Sequence, residues 1–228
     1  MHMLKEWFKL LFYRKPKTEK LSLEQQLSNP KGVEGIKLGH TMYASNLGMI
    51  TSSIDLLNLN DHDVVLELGH GNCHHLNYIE EKVQQIDFHG LEISDVMHKE
   101  AKQFQSELKT TFKLYDGTII PYKDLYFDKL MTVNTIYFWE DPSKLLQEID
   151  RVLKVKGVFV LTFVAKDFMK KLPFVGDRFA LYDISNIERL IERTNLQITK
   201  IEEKVERVKN KLNVLVDREY LLIEMIKN

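Results

Sequence analysis

The sequence predicts an α/β domain with a Rossmann-like, mostly parallel sheet and helices on both faces. From Val64 onward, short apolar runs alternate with segments whose apolar residues recur every three or four positions. This alternation is typical of strands followed by amphipathic helices. The last third differs, because residues 196–208 and 212–226 resemble two long strands with only a short connection between them. Such a connection requires an antiparallel pair, so the sheet should carry one C-terminal antiparallel strand.

The individual elements follow from local patterns. Five strands are predicted, at 64–68, 88–93, 111–115, 129–135 and 158–164. Apolar residues at helical spacing predict intervening helices over 76–83, 97–108 and 145–153. Ser94 and Pro142 are expected to begin two of them, as an N-cap and as a first-turn proline. Ser185 and Glu188 have capping-box spacing and predict the start of a further helix.

The composition restricts the class of protein. The chain has 228 residues and a net charge of −1, which allows one domain with a sizeable core and gives no overall attraction to nucleic acid. A single cysteine excludes an internal disulfide and suits a reducing cytosol. No apolar run is long enough for a bilayer, and the N-terminus lacks a signal-peptide pattern. We therefore expect a cytoplasmic protein without a nucleic-acid partner or stable membrane insertion.

The N-terminal region is expected to be a helical extension. Residues 4–14 carry aromatic and leucine side chains at helical spacing, and the basic segment 14–17 ends this unit. Such a helix packs on the domain, on a second copy in a homodimer, or on a membrane surface; we expect a protein contact, because no second membrane anchor is visible. We assign residues 1–50 to this extension, as a cover of the active site, and residues 51–228 to the α/β domain.

A glycine-rich turn follows the first predicted strand and leads directly into a helix. Gly69 and Gly71 form the turn, and Glu67 lies two positions before the first glycine. Such turns bring backbone N–H groups and a helix N-terminus up to a ligand. The pattern resembles motif I of class I S-adenosylmethionine (SAM) dependent methyltransferases, E/D-x-G-x-G-x-G, with Cys73 replacing the third glycine. A dinucleotide-binding turn, G-x-G-x-x-G/A, fits less well, since it would place the bulky His74 where helix and strand pack closely.

The resemblance implies a seven-stranded sheet, SAM as the cofactor and S-adenosylhomocysteine (SAH) as the product. It extends to residues 128–142, which are similar to small-molecule methyltransferases of the type 11 and ubiquinone/menaquinone-biosynthesis groups. In the family, the residue matching Glu92 accepts hydrogen bonds from both ribose hydroxyls, a role that suits an acceptor-only carboxylate. The residue matching Asp116 binds the adenine amino group. The implied cofactor-binding residues are Glu67, Gly69, His70, Gly71, Cys73, Glu92, Ile93, Asp116, Gly117, Asn134 and Thr135.

The resemblance also places the methyl acceptor. Tyr137, Phe138 and Trp139 would begin the substrate pocket for a small molecule. The glycine-punctuated segment 29–49 is similar to one that covers the methionine end of SAM in a subset of the family. A general base is useful if the acceptor is a hydroxyl or an acidic carbon, and the candidates are His40, Tyr43 and Tyr137.

We expect no metal site. His70, Cys73, His74 and His75 are close in sequence, but adjacent helical residues point apart and zinc-ligand spacing is absent.

Two other functions stay open at this point. The replaced third glycine allows a non-catalytic SAM- or nucleotide-binding module. An NAD-dependent oxidoreductase is disfavoured by His74 and by the Asp116-Gly117 step. The sequence identifies neither the acceptor nor the atom that would be methylated.

Overall fold

In the computed structural model, the described residues are 21–209 and 215–228, so the predicted helix over 4–14 lies outside them. The helices are α1 (Leu23–Ser28), α2 (Gly32–Leu57), α3 (Leu76–Glu80), α4 (Asp95–Gln103), α5 (Pro142–Val152), α6 (Lys166–Met169) and α7 (Ile184–Ile191), with a 3₁₀ turn at Ile136–Phe138. The strands are β1 (Val64–Leu68), β2 (Asp87–Glu92), β3 (Lys109–Leu114), β4 (Phe127–Val133), β5 (Leu153–Val164), β6 (Leu196–Lys209) and β7 (Leu215–Lys227).

The strands form one seven-stranded sheet in the order β3-β2-β1-β4-β5-β7-β6. Strands β1 to β5 are parallel to one another, whereas β7 is antiparallel to both β5 and β6. This arrangement confirms the predicted fold class. Leu68 pairs with Leu91 of β2 and with Thr132 of β4, so the carboxyl ends of three strands meet at one edge of the sheet. Ligands of open α/β sheets bind at such an edge, where the strand order reverses.

Helices cover both faces of the sheet, and alternate strand residues enter two hydrophobic clusters. Leu66 and Leu68 join the cluster that includes α5 and α7, whereas Val65 joins the cluster that includes α3 and the end of α2. All three side chains have no exposed surface. Burial on both faces explains why the strands appear as nearly continuous apolar runs in the sequence.

Helix α2 belongs to both the core and the carboxyl edge of the sheet. Its second half buries Met49, Ile54 and Leu57. Its first half approaches α4 closely, since a Cβ on Gly39 would lie 2.4 Å from the Met97 sulfur. The proposed boundary at residue 50 falls inside this helix, so it coincides with no break in the backbone.

The structure corrects several predicted element ends. Helix α3 is about one turn shorter than predicted. Val83 is buried, as its apolar side chain suggested, but it lies in the loop before β2 and not in the helix. The predicted capping box at Ser185 and Glu188 is wrong: Asp183 caps α7 and exchanges hydrogen bonds with Asn186. Both assignments have the same i, i+3 spacing, so the pattern alone did not separate them.

No helix within residues 21–209 and 215–228 combines the length and apolar character that crossing a membrane requires.

Candidate functional site

A cavity lies at the carboxyl ends of β1, β2 and β4, below the first half of α2. Its floor contains Glu67, the turn after β1 and the end of β2, and its roof contains Met42, Tyr43 and Asn46 of α2. Two segments that are far apart in the sequence, 27–50 and 133–139, therefore face each other across one space. The remaining lining residues are Leu27, Ser28, Pro30, Gly39, Ile50, Gly69, His70, Gly71, Asn72, Glu92, Ile93, Met97, Tyr115, Gly117, Val133, Asn134, Thr135, Phe138 and Trp139.

The turn after β1 adopts left-handed backbone conformations. The φ angles of Gly69, Gly71 and Cys73 are 74°, 59° and 60°. A Cβ on Gly69 would lie 2.4 Å from Cγ2 of Thr135, whereas a Cβ on Gly71 would meet no protein atom within 4 Å. Gly69 is thus required by close packing inside the protein. Gly71 leaves open space toward the cavity, as expected for backbone that a ligand approaches closely.

Glu92 connects this turn to the start of α4. Its Oε2 accepts a hydrogen bond from Gly71 N at 3.0 Å, and its Oε1 accepts from Ile93 N at 2.8 Å and Ser94 N at 3.0 Å. Burial raises the pKa of Glu92, and these three N–H groups oppose that rise. A carboxylate offers about four acceptor positions, so most are occupied by backbone.

Glu67 makes a buried pair with His75 below the turn. Glu67 Oε2 and His75 Nε2 are 2.6 Å apart, and both side chains are almost fully buried. Together with Cys73 they form a group whose donor atoms lie within 4.8 Å of one another, a spacing that one metal ion could bridge. Burial, with the charges of Glu67 and Glu92, raises the pKa of the Cys73 thiol, and a metal would have to displace that proton. The absence of a metal stays a prediction.

His70 turns its ring beneath the turn. The ring lies 5.0 Å from that of Phe112, and a Cβ on Gly90 would be only 2.5 Å from His70 Cδ2. Its Nδ1 is 2.9 Å from the Gly71 carbonyl oxygen, to which it donates. Burial, reinforced by His75, lowers the pKa of His70 to about 3, so the imidazole is neutral.

The end of β3 supplies Tyr115 and Gly117 to the cavity, but Asp116 is exposed and is not a lining residue. Asp116 Oδ1 accepts from Thr118 N at 2.8 Å and Ile119 N at 2.9 Å, which lowers its pKa. One carboxylate oxygen therefore holds the local turn, and the other oxygen is the one that an adenine amino group would reach. The adenine role of Asp116 stays a prediction.

The segment after β4 divides into lining and buried side chains. Asn134 has a φ of 58°, and its Oδ1 accepts from the Tyr137 hydroxyl at 3.0 Å. Tyr137 is buried, its hydroxyl accepts from Val164 N at 2.6 Å, and it does not line the cavity. Phe138 and Trp139 do line it, and the Trp139 indole N–H donates to Thr135 Oγ1 at 3.0 Å.

Of the three candidate bases, Tyr43 is the one that lines the cavity. Burial raises the pKa of its hydroxyl, so it is protonated at neutral pH. His40 is about half exposed, lies 3.2 Å from Glu100 and is not a lining residue. Burial likewise raises the pKa of Tyr137, whose hydroxyl is enclosed by protein. The geometry therefore does not support His40 or Tyr137 in that role.

Comparisons with known proteins bear directly on this site. Residues 66–161 match the family model described as a methyltransferase domain, a span that contains the turn, Glu92 and the end of β4. Together with the fold and the turn after β1, this match supports a class I SAM-dependent methyltransferase. Its cofactor is SAM, and the cavity suits that cofactor, with open space beside Gly71 and a carboxylate at the end of β2. An NAD-dependent oxidoreductase finds no support.

One relative is described as a methyltransferase, and two solved structures share the fold. YdaC of Bacillus subtilis (strain 168), described as an uncharacterized methyltransferase, is 26% identical over 131 residues, which are 57% of this chain and 71% of YdaC. A chain of the Haloferax volcanii complex with the Trm112 methyltransferase activator is 16% identical with a TM-score of 0.68, covering 84% of this chain and 94% of that one. The [4+2]-cyclase SpnF, 16% identical, has a TM-score of 0.59 over 85% of this chain and 81% of its own. At such identities, the structural similarity shows the fold alone.

Sequence reasoning did not find Leu27, Ser28, Ile50 and Met97 as lining residues. Leu27 and Ser28 end a short helix outside the recognised motifs, and Ile50 and Met97 have the helical spacing of ordinary core residues, so no local signal distinguished the four. Arg218, which holds Asn46 at 3.2 Å, was also missed, because 172 positions separate the two residues.

Replacing Glu92 tests the connection between the turn and α4. In Glu92→Gln the side-chain NH₂ group meets backbone N–H donors, so at least one of the three hydrogen bonds is lost. We expect the free energy of unfolding to fall by about 1–3 kcal/mol. SAM affinity should fall at least about tenfold in Glu92→Ala and less in Glu92→Gln, which keeps one acceptor oxygen. Denaturant titration and calorimetry measure the two quantities.

Glu100→Gln is the matched control for Glu92→Gln, since it removes a nearby carboxylate that contacts His40 and not the turn. SAM affinity equal to that of the parent in Glu92→Gln would contradict a role for Glu92 at the cofactor.

The neutral His70 predicts a pH dependence of stability. Its folded pKa, about 3, lies below the unfolded value near 6.5. The unfolded state therefore binds more protons between these values, and stability falls as the pH drops through this window. His70→Asn keeps a donor near the Nδ1 position and removes the titration. The stability lost between pH 6.5 and 5 should be smaller in this variant by about 2 kcal/mol, measured by denaturant titration at each pH. Equal losses in both proteins would contradict the assigned pKa.

Proposed function

We propose that this enzyme transfers the methyl group of SAM to a small-molecule acceptor bound between the first half of α2 and the end of β4. One observation carries the proposal: the cavity that contains the turn after β1 is also lined by a set of apolar and aromatic side chains, here called the wall. That wall consists of Leu27, Met42, Tyr43, Ile50, Phe138 and Trp139. A roofed cavity of this kind suits a small molecule better than an extended polymer.

In this proposal, the cofactor lies against the turn and the ends of β2 and β3. Backbone at Gly69 and Gly71 approaches its amino-acid end. The Glu92 carboxylate, while held by its three backbone donors, accepts from the ribose. Asp116 accepts a hydrogen bond from the adenine amino group, and the Gly117 N–H donates to a ring nitrogen of the adenine, which lies beside Ile93. Asn134 and Thr135 lie at the methionine end.

The reaction requires alignment more than acid–base groups. The sulfonium of SAM makes the methyl group electrophilic, so the protein has to hold a nucleophile in line behind it and exclude water. Lining residues on α2 and after β4 enclose the acceptor side. Tyr43 alone of the three candidate bases lines the cavity, and because burial raises the pKa of its hydroxyl, it is suited to donate a hydrogen bond to the acceptor and not to remove its proton.

A transfer assay tests the function. The full chain is incubated with SAM labelled in its methyl group and with fractionated small molecules, protein or RNA from a cell extract. We expect the label to enter the small-molecule fraction with stoichiometric SAH release. Label found only in protein or RNA would overturn the acceptor class, and SAM binding without any transfer would favour a non-catalytic module.

Two glycines with the same backbone strain separate ligand contact from fold. Gly71 and Gly32 have φ angles of 59° and 63°, and a Cβ on either meets no protein atom within 4 Å. Only Gly71 lines the cavity. We expect Gly71→Val to reduce SAM affinity at least about a hundredfold through steric exclusion. Gly32→Val should lower stability about as much as Gly71→Val does, and it should leave SAM affinity unchanged. Calorimetry gives affinity and thermal melting gives stability; similar affinities in the two variants would remove the turn from the cofactor site.

A further inference from the structure

The cavity roof contains an amide whose orientation is fixed from outside the cavity. Asn46 on α2 lines the cavity, and its Oδ1 accepts a hydrogen bond from Arg218 Nη1 on β7 at 3.2 Å. A guanidinium only donates hydrogen bonds, so the oxygen of the Asn46 amide must face Arg218. The NH₂ group is then the free end of the amide.

Arg218 is itself held firmly. Its side chain is only 10% exposed and lies 2.6 Å from Glu206 Oε1 on β6. Its Nη2 also donates to the Ser45 carbonyl oxygen at 2.5 Å. Glu206 packs against the same turn of α2, since a Cβ on Gly48 would collide with its carboxylate. The β6–β7 hairpin therefore fixes both the helix turn and the amide that this turn presents.

The Asn46 NH₂ group has no hydrogen-bond acceptor among residues 21–209 and 215–228. The charged lining residues, Glu67 and Glu92, already belong to the cofactor end of the cavity. Within the described part of the chain, no lysine or arginine lines the cavity. The acceptor side thus offers apolar surface and the oriented NH₂ donor of Asn46, but no protein charge to pair with an ionised acceptor.

We propose that Asn46 Nδ2 determines acceptor specificity by donating to an oxygen of an uncharged, mainly apolar acceptor, and that Arg218 is a positioning residue which fixes this donor. The inference rests on the proposed function, since it concerns the same cavity. An anionic acceptor would lose its hydration without gaining a cation from the protein, and a cationic one would gain no carboxylate beyond those at the cofactor end, so both are disfavoured. A site built to donate to an oxygen also rejects analogues that lack it.

Binding to the SAH complex tests this without requiring turnover. The probes are 2-acetonaphthone, its oxygen-free counterpart 2-ethylnaphthalene, the anion 2-naphthoate and the cation 2-naphthylmethylammonium. We expect 2-acetonaphthone to bind the full chain with SAH at least about tenfold more tightly than each of the other three. Tighter binding of either ion, or no binding of any probe to a chain that binds SAH, overturns the inference. Failed methyl transfer alone would contradict the proposed function and leave this ranking unchanged.

Variants identify the donor. Asn46→Asp keeps the oxygen that Arg218 contacts and removes the NH₂ group, and Asn46→Leu removes both. Each should lose the preference for 2-acetonaphthone over 2-ethylnaphthalene while binding SAH as the parent does. Weaker SAH binding with an unchanged preference would mean that Nδ2 serves the cofactor, and would overturn the assignment.

Arg218→Met tests the positioning role. In the parent chain, Arg218→Met should reduce the preference for 2-acetonaphthone over 2-ethylnaphthalene. In the Asn46→Leu background it should have no further effect on that preference. A general loss of stability would not produce this non-additive result. Arg218→Lys, which keeps the charge but not the forked donors, is the variant to use where Arg218→Met fails to fold. A preference unchanged in Arg218→Lys and Arg218→Met overturns the role of Arg218.

Discussion

The carboxylate of Glu92 is the contact on which the joined shape of the turn after β1 and the start of α4 depends. It accepts from Gly71 N in the turn after β1 and from Ile93 N and Ser94 N at the start of α4. These two segments belong to different βα units, and only neighbouring parallel strands bring them together. Burying a carboxylate is costly unless hydrogen bonds compensate it. The same bonds that compensate this burial therefore fix the distance between the turn and the neighbouring helix. A ligand that approaches Gly71 meets a surface whose shape is already set.

Several features were predictable because their signals are local. Glu67, Gly69 and Gly71 follow one another within five positions, and the strand before them is a continuous apolar run. The antiparallel end of the sheet followed from the short link between two long strands, because chain connectivity leaves no other arrangement. The direction of individual side chains after β4 was not predictable. Residues 136–138 form a 3₁₀ turn, and one such turn is too short to show which of Tyr137 and Phe138 is buried.

Contacts between distant segments were the second limit. Asn46 and Arg218 come from opposite ends of the chain, and neither has neighbours that mark it as special. Their hydrogen bond forms only because the fold places β7 beside α2. Glu92 shows the same limit on a smaller scale, since its position at the strand end predicted a ligand contact but not its three backbone donors. Sequence patterns locate such groups, whereas the hydrogen bonds that orient them depend on packing.

Helix α2 is one continuous element that serves two purposes, and this constrains how the enzyme selects its acceptor. Its second half places Met49, Ile54 and Leu57 in the core, while its first half forms the cavity roof. A helix anchored in this way cannot swing open without bending or unpacking core residues, which would cost several kcal/mol, as for large core truncations. The hairpin contact through Arg218 adds a second restraint at the middle of the roof. In the proposed function, the acceptor is therefore selected by the composition of a fixed wall, in which the Asn46 NH₂ donor carries the discrimination.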